Sequence, residues 1–148
     1  MTRVDFYVLP ETVTDPLPTA VRLCDKAAAA GLFLYAQVPD TALAQALDTA
    51  LWSQRQGSFI SHERHRHESP APPLPMVLIG SGEPPEAYLQ LLLNLDQAVP
   101  GYFSRCERVL EIVAGDAAAR KTARTHFKFY RDRGYSLTTH NLGTTGVS

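Results

Sequence analysis

Arg120, Arg124, Lys128 and Arg131 recur at i, i+4, i+8 and i+11, which at about 100° per residue puts their charged ends on one stripe of a helix. Phe127 stands beside that stripe. Between Asp116 and Arg133 six Lys or Arg face two Asp, whereas residues 1–115 carry eight against thirteen Asp or Glu, so cation is concentrated in one segment of an otherwise acidic chain. The chemistry this suits is the capture of a carboxylate. Arginine presents a planar fork of parallel donors, and forks beside an aromatic ring and Val113 match a carboxylate carried next to an apolar side chain. The same pattern also fits a solvated helix face whose apolar residues, Ala123, Phe127 and Tyr130, look toward a sheet; charge pattern alone leaves both readings open.

Other chemistry-bearing clusters are weaker. His62, His65 and His67 could in principle hold zinc, but Arg64 and Arg66 between them would repel a dication and no fixed fourth ligand is evident. A solvated loop without resident metal is expected there. Gly80-Ser81-Gly82-Glu83-Pro84-Pro85 follows a strand as phosphate-cradling loops do, yet it lacks the Lys-Ser or Lys-Thr pair, and its prolines offer no amide donors. After the first strand stands Pro10-Glu11, whose carboxylate would repel a pyrophosphate. No nucleotide or other cofactor is therefore expected. No Ser, Cys or His sits in a nucleophile-elbow context, so no candidate active site emerges. Trp52 and Phe59 flank a turn. They read as core aromatics or, if exposed, as an anchor for a partner protein.

The elements that must position these residues follow from periodicity. Val4 to Leu9 reads as a first strand ended by Pro10, and Pro18 to Ala30 as a helix with Gly31 at its C-terminus. Leu32 to Val38 is a second strand, after which Asp40 or Thr41 caps a helix with Leu43, Leu47, Ala50 and Leu51 inward, running up to Trp52. Ser58 to Ile60 is a possible short strand, Ser61 to Pro75 an exposed polar loop, and Met76 to Gly80 a strand. Tyr88 to Leu95 is read as a strand, although its leucines fit a helix too, and Arg108 to Val113 is another before the long C-terminal helix. Strands alternating with helices imply a mostly parallel sheet covered on both faces.

Composition narrows the class. The 148 residues, 45% of them hydrophobic, suit one domain, 1–148, with a genuine core. There is no signal-peptide layout and no apolar run near the roughly 18 to 20 residues of a membrane span, so a cytoplasmic protein without membrane association is expected. Cys24 and Cys106 lack metal-type spacing and are expected to be buried, reduced thiols. A net charge of -1 argues against broad coating of duplex phosphates, while a local basic patch remains compatible with an acidic peptide or a single strand.

Four motifs in order carry a family resemblance: Phe6-Tyr7-Val8-Leu9; Leu47-Asp48-x-Ala50-Leu51-Trp52; Ser58-Phe59-Ile60-x-His62; and Ala123-Arg124-x-x-Phe127-Lys128-x-Tyr130-Arg131-x-x-Gly134-Tyr135-x-Leu137. Their spacing, nearly end to end, resembles the chi subunit of bacterial DNA polymerase III. Two departures are Ser61, where the family commonly has proline, and Phe127, where tyrosine is common. The resemblance implies a single three-layer α/β/α domain, Rossmann-like without a nucleotide-binding loop. It implies an accessory protein of the replisome, not an enzyme, and nucleic acid contacted mainly indirectly. The implied partners are the psi subunit, which tethers chi to the clamp loader, and the acidic C-terminal tail of single-stranded DNA-binding protein. By position, Arg124 would take the tail's terminal carboxylate, Arg120 and Lys128 would attract its acidic residues, and Val113 with Phe127 would seat its terminal aromatic ring. The psi-facing surface would centre on Trp52 and Phe59. Two other classes compete: a small nucleotide-handling enzyme on a doubly wound sheet, and a direct single-stranded DNA binder using Phe127, Phe129 and Tyr130 as stacking platforms. The second requires those rings exposed, and helical packing is expected to bury at least two.

Overall fold

A computed structural model describes residues 1–53, 60–65 and 72–143. Among these residues seven strands form one sheet: β1 (Arg3–Val8), β2 (Leu34–Gln37), β3 (His62–Arg64), β4 (Val77–Gly80), β5 (Leu91–Asn94), β6 (Arg108–Val113) and β7 (Ser136–Asn141). They are arranged in the order β3-β4-β2-β5-β6-β1-β7, and every neighbouring pair is parallel. Helices α1 (Leu17–Ala29) and α2 (Thr41–Trp52) cover one face and α3 (Ala117–Asp132) the other. The expected single three-layer α/β domain is present.

Local chemistry explains the helix limits. Asp40 and Asp116 accept hydrogen bonds from the Leu43 and Ala119 amides, capping α2 and α3. Gly31 ends α1 in the left-handed region at φ 74°, with the Leu32 amide bonding Ala27 O and the Gly31 amide bonding Ala28 O, the paired bonds of a Schellman motif. The strands alternate faces. On β6, Leu110 looks toward α1 and α2, while Val109 and Val113 join Phe6, Tyr130 and Phe103 in the core beneath α3.

Three expectations are corrected. The supposed loop Ser61 to Pro75 contains β3, a charged edge strand anchored by Arg64 donating to Gln45 and by the His62–Asp48 contact at 2.9 Å. Charge on an edge strand discourages further pairing, and it also hides the strand from hydropathy. Tyr88 belongs to a 3-10 turn, Glu86–Tyr88, and the strand begins only at Leu91. The Tyr88 hydroxyl donates to Pro75 O at 2.6 Å and its ring is fully buried in the core beneath α3, which holds that residue out of line with the strand. Finally β7, Ser-Leu-Thr-Thr-His-Asn, was not foreseen; it is a polar edge strand paired only with β1. Ser58 and Phe59, two of the three residues of the possible strand before β3, lie outside the described residues.

Candidate partner-binding sites

At the β7 edge, α3 leaves an apolar cavity of about 240 Å³ against the sheet. Phe6 and Val8 of β1 and Val113 of β6 floor it, Ala123 and Phe127 wall it, Thr139 of β7 closes one side, and Arg120 and Arg124 stand at the rim. The Phe127 ring packs on Phe6 with centroids 5.4 Å apart, which holds the wall upright. The two arginines differ. Arg120 is half-buried and already engaged: Nε donates to Gly115 O at 3.2 Å and Nη2 to Leu9 O at 3.0 Å. Arg124 is exposed and makes no hydrogen bond or ion pair among the described residues. Its fork is available to an incoming acceptor.

Arg120 thus staples the segment after β1 to the segment after β6. Gly115 permits that closeness, since a Cβ there would fall 2.4 Å from the carbonyl oxygens of both Pro10 and Glu11. Where a nucleotide-binding sheet opens a phosphate loop, these two segments are pressed together, and the Gly115 amide is used by Val13 O. The loop after β4 is likewise turned inward: the Gly82 amide donates to Gln37 Oε1 and its carbonyl accepts from the Tyr35 hydroxyl.

Of the five residues expected at the tail site, Val113, Arg120, Arg124 and Phe127 line the one cavity. Lys128 does not line it; its ammonium lies 2.7 Å from Asp132, whose carboxyl is held below its ordinary value by that hydrogen bond. Sequence reasoning missed Phe6, Val8 and Thr139 as lining residues. Of the three candidate stacking rings, at least two of which were expected to be buried, only Tyr130 is; Phe127 and Phe129 are half-buried, the latter beneath the Arg133 guanidinium at 3.7 Å. These rings serve the wall and core and form no open row.

At the opposite, β3 edge, Trp52 is 64% exposed, which overturns its reading as a core aromatic. It is the last residue of α2, where the inward stripe has already ended at Leu51. Its ring meets the His62 imidazole edge-on at 5.1 Å, and His62 bridges Asp48 of α2 and Ile60 O, the latter at 2.7 Å. Phe59 lies outside the described residues, as does His67 of the histidine cluster; among the described residues no three His, Cys, Asp or Glu groups come together as a metal site. Cys24 and Cys106 are free and buried, and burial pushes their thiols up to about 12 and about 11, leaving them unreactive near neutral pH. No helix among the described residues is long and apolar enough to cross a membrane.

A family model described as DNA polymerase III chi subunit, HolC, matches residues 1–138. The chain is 42% identical to the DNA polymerase III subunit chi of Pseudomonas aeruginosa over 96% of its own length and 98% of that protein's. It is 28% identical to the subunit chi of Haemophilus influenzae over 93% and 96% of the respective lengths. The chain belongs to the chi subunit family of DNA polymerase III, a family of replication accessory subunits.

Proposed function

We propose that this chi-family protein is a non-catalytic adaptor that grips the acidic C-terminal tail of single-stranded DNA-binding protein in the α3 cavity and binds the psi subunit of the clamp loader around Trp52. The observation that carries the tail site is the pairing of an exposed arginine, without an internal partner among the described residues, with an apolar cavity of about 240 Å³. An aromatic C-terminal residue brings both halves of the complement: a ring for Phe6, Val113 and Phe127, and a free carboxylate for Arg124. Entry of the ring releases water from the walls, and the fork–carboxylate bonds fix its orientation. Arg120, held by two carbonyls, contributes positive potential from a fixed position, and Lys128 contributes from a turn away. At the other edge, a large exposed aromatic propped on a histidine is the type of residue that anchors protein interfaces.

The test is a calorimetric titration with a tail peptide from the same organism's single-stranded DNA-binding protein, with its C-terminus free or amidated. Binding should need the free carboxylate, and Arg124→Ala should lose on the order of 2 kcal/mol or more, about thirtyfold. Equal binding of the amidated peptide, or unchanged binding by Arg124→Ala, would remove the tail assignment.

A further inference from the structure

Behind the cavity wall lies a polar cluster that the proposed contacts do not use. Glu111 of β6 and His126 of α3 are 5% and 4% exposed. The Tyr130 hydroxyl donates to Glu111 Oε2 at 2.7 Å and the Asn94 amide nitrogen to the same oxygen at 3.0 Å, while His126 Nδ1 lies 3.0 and 3.1 Å from the two carboxylate oxygens. The other ring nitrogen, Nε2, lies 2.7 Å from Gln97 O. Both partners of the imidazole are acceptors, since neither a carboxylate nor a peptide carbonyl has a proton to give. A neutral ring would aim a lone pair at one of these oxygens. Only the doubly protonated ring donates to both.

We infer that His126 is a buried imidazolium paired with Glu111, and that this pair is a positioning device that sets α3 on β6 so that Arg124 and Phe127 stand over Val113. The first half is independent of the tail-site reading; the second rests on it. Glu111 and Val113 lie two residues apart on the same face of β6, and Phe6 is the register partner of Glu111. On α3, His126 sits between Arg124 and Phe127. The ring contacts of Phe127 and Tyr130 on Phe6 are apolar, and apolar packing tolerates sliding better than directional hydrogen bonds do; the directional ties are His126 and the Tyr130 hydroxyl on Glu111 and, nearer the head of α3, Arg120 on Leu9 O. A slip by one residue moves a helix about 1.5 Å and turns it about 100°, enough to carry Arg124 off the rim.

Burial opposes the charge on His126, but the hydrogen bond and charge of Glu111, the Gln97 carbonyl and the nearby Asp96 outweigh it and raise its pKa above the ordinary imidazole value. The charged or titratable groups around it are Glu111 from β6, Asp96 from the segment after β5 and Tyr130 from α3, while Asp116 at the head of α3 lines the same cavity further off. Among the described residues no Lys or Arg lines the cavity of about 310 Å³ that reaches the ring. Because the folded value is raised, the contribution is complete below about pH 6.5 and is lost as pH rises through the folded value. Tail binding should fall in the same alkaline window.

Nitrogen-edited NMR of isotope-labelled protein near neutral pH reads the ring directly. Both nitrogens should carry protons; a single neutral tautomer would overturn the imidazolium. A tail peptide with a blocked N-terminus is then titrated from about pH 6.5 to about pH 9.5. Wild-type affinity should weaken at least about fivefold across that range, whereas His126→Gln should bind more weakly at the acid end and show a flat profile. A flat wild-type profile, or a His126→Gln variant with the wild-type affinity and slope, would overturn the positioning role. Should His126→Gln fail to fold, Tyr130→Phe keeps the ring and removes one donor from Glu111; the His126 midpoint should then move up, and an unmoved midpoint would overturn the linked cluster. No tail binding at any pH alongside a doubly protonated ring would overturn the tail site and the positioning role together, leaving the buried imidazolium established.

Discussion

The two edges of the sheet present opposite kinds of surface. At the β7 edge the chain builds a concavity: β1, β6 and α3 enclose an apolar space and set arginines at its rim. At the β3 edge it builds a protrusion, an exposed indole at the end of α2 propped on His62. A concavity of about 240 Å³ suits one side chain with its terminal carboxylate, whereas a lone raised aromatic gains little until a broad partner surface closes over it. The same fold therefore offers a site for a chain end and a site for a folded partner, on opposite faces and toward opposite edges of the sheet.

The sharpest way to break this comparison is at the protrusion. Trp52→Ala should weaken psi binding by about 3 kcal/mol, because a central interface aromatic carries much of the binding energy, and should leave tail affinity unchanged. Reciprocally, Arg124→Ala should lose about 2 kcal/mol of tail binding with psi affinity intact. Combining them in one chain should give each loss undiminished, since distant sites without shared partners act additively. Coupling between the two titrations would mean that the edges are not independent.

How much of each region could be read from sequence differs for the same physical reason. The cations of α3 were legible because helical spacing maps directly onto one face, and Asp116 and Gly134 mark the helix limits. Phe6, Val8 and Thr139 were not, because they reach the cavity from strands brought together only by the sheet, and β7 carries too much Ser and Thr to announce itself. β3 was hidden by its charge. The exposure of Trp52 runs against the usual burial of large aromatics; its place beyond the last inward residue, Leu51, hints at it, and the family resemblance implied a partner-facing position. Glu111 did leave a signal: an acid in the middle of Val-Leu-Glu-Ile-Val has to meet a buried partner, and that partner, His126, lies on the basic helix.

Acid should loosen the concave edge first. Burial opposes the charge on Asp5, but hydrogen bonds from Arg108 at 2.7 Å and His140 at 2.9 Å outweigh it and hold the carboxyl below its ordinary value. With the folded value depressed, the stabilisation is present above about pH 3.9 and is lost as pH falls through the folded value. Asp5 joins β1 to β6 and β7 directly behind Phe6. Thermal melts of wild type and Asp5→Asn should therefore differ at neutral pH and converge in acid; a constant difference would mean that the pairing contributes nothing. Hydrogen exchange at low pH should show β7 opening before the α2–β3 edge.

The smallest expected effect lies at Lys128, and it tests what the rim is made of. The ammonium is 69% exposed and shares its charge with Asp132, so it touches neither the cavity nor any group that a bound ring would displace. Lys128→Ala should change tail affinity by about twofold or less at physiological salt, where exposed charges are screened over a Debye length of about 8 Å. At low salt the difference should widen, and it should appear in the association rate, because a charge outside the contact steers approach without holding the complex. Arg124→Ala should act instead through dissociation and keep most of its effect at high salt. A large, salt-resistant loss from Lys128→Ala would show that the tail leaves the cavity along α3 and displaces Asp132 from the ammonium, extending the concave site a full turn further down the helix.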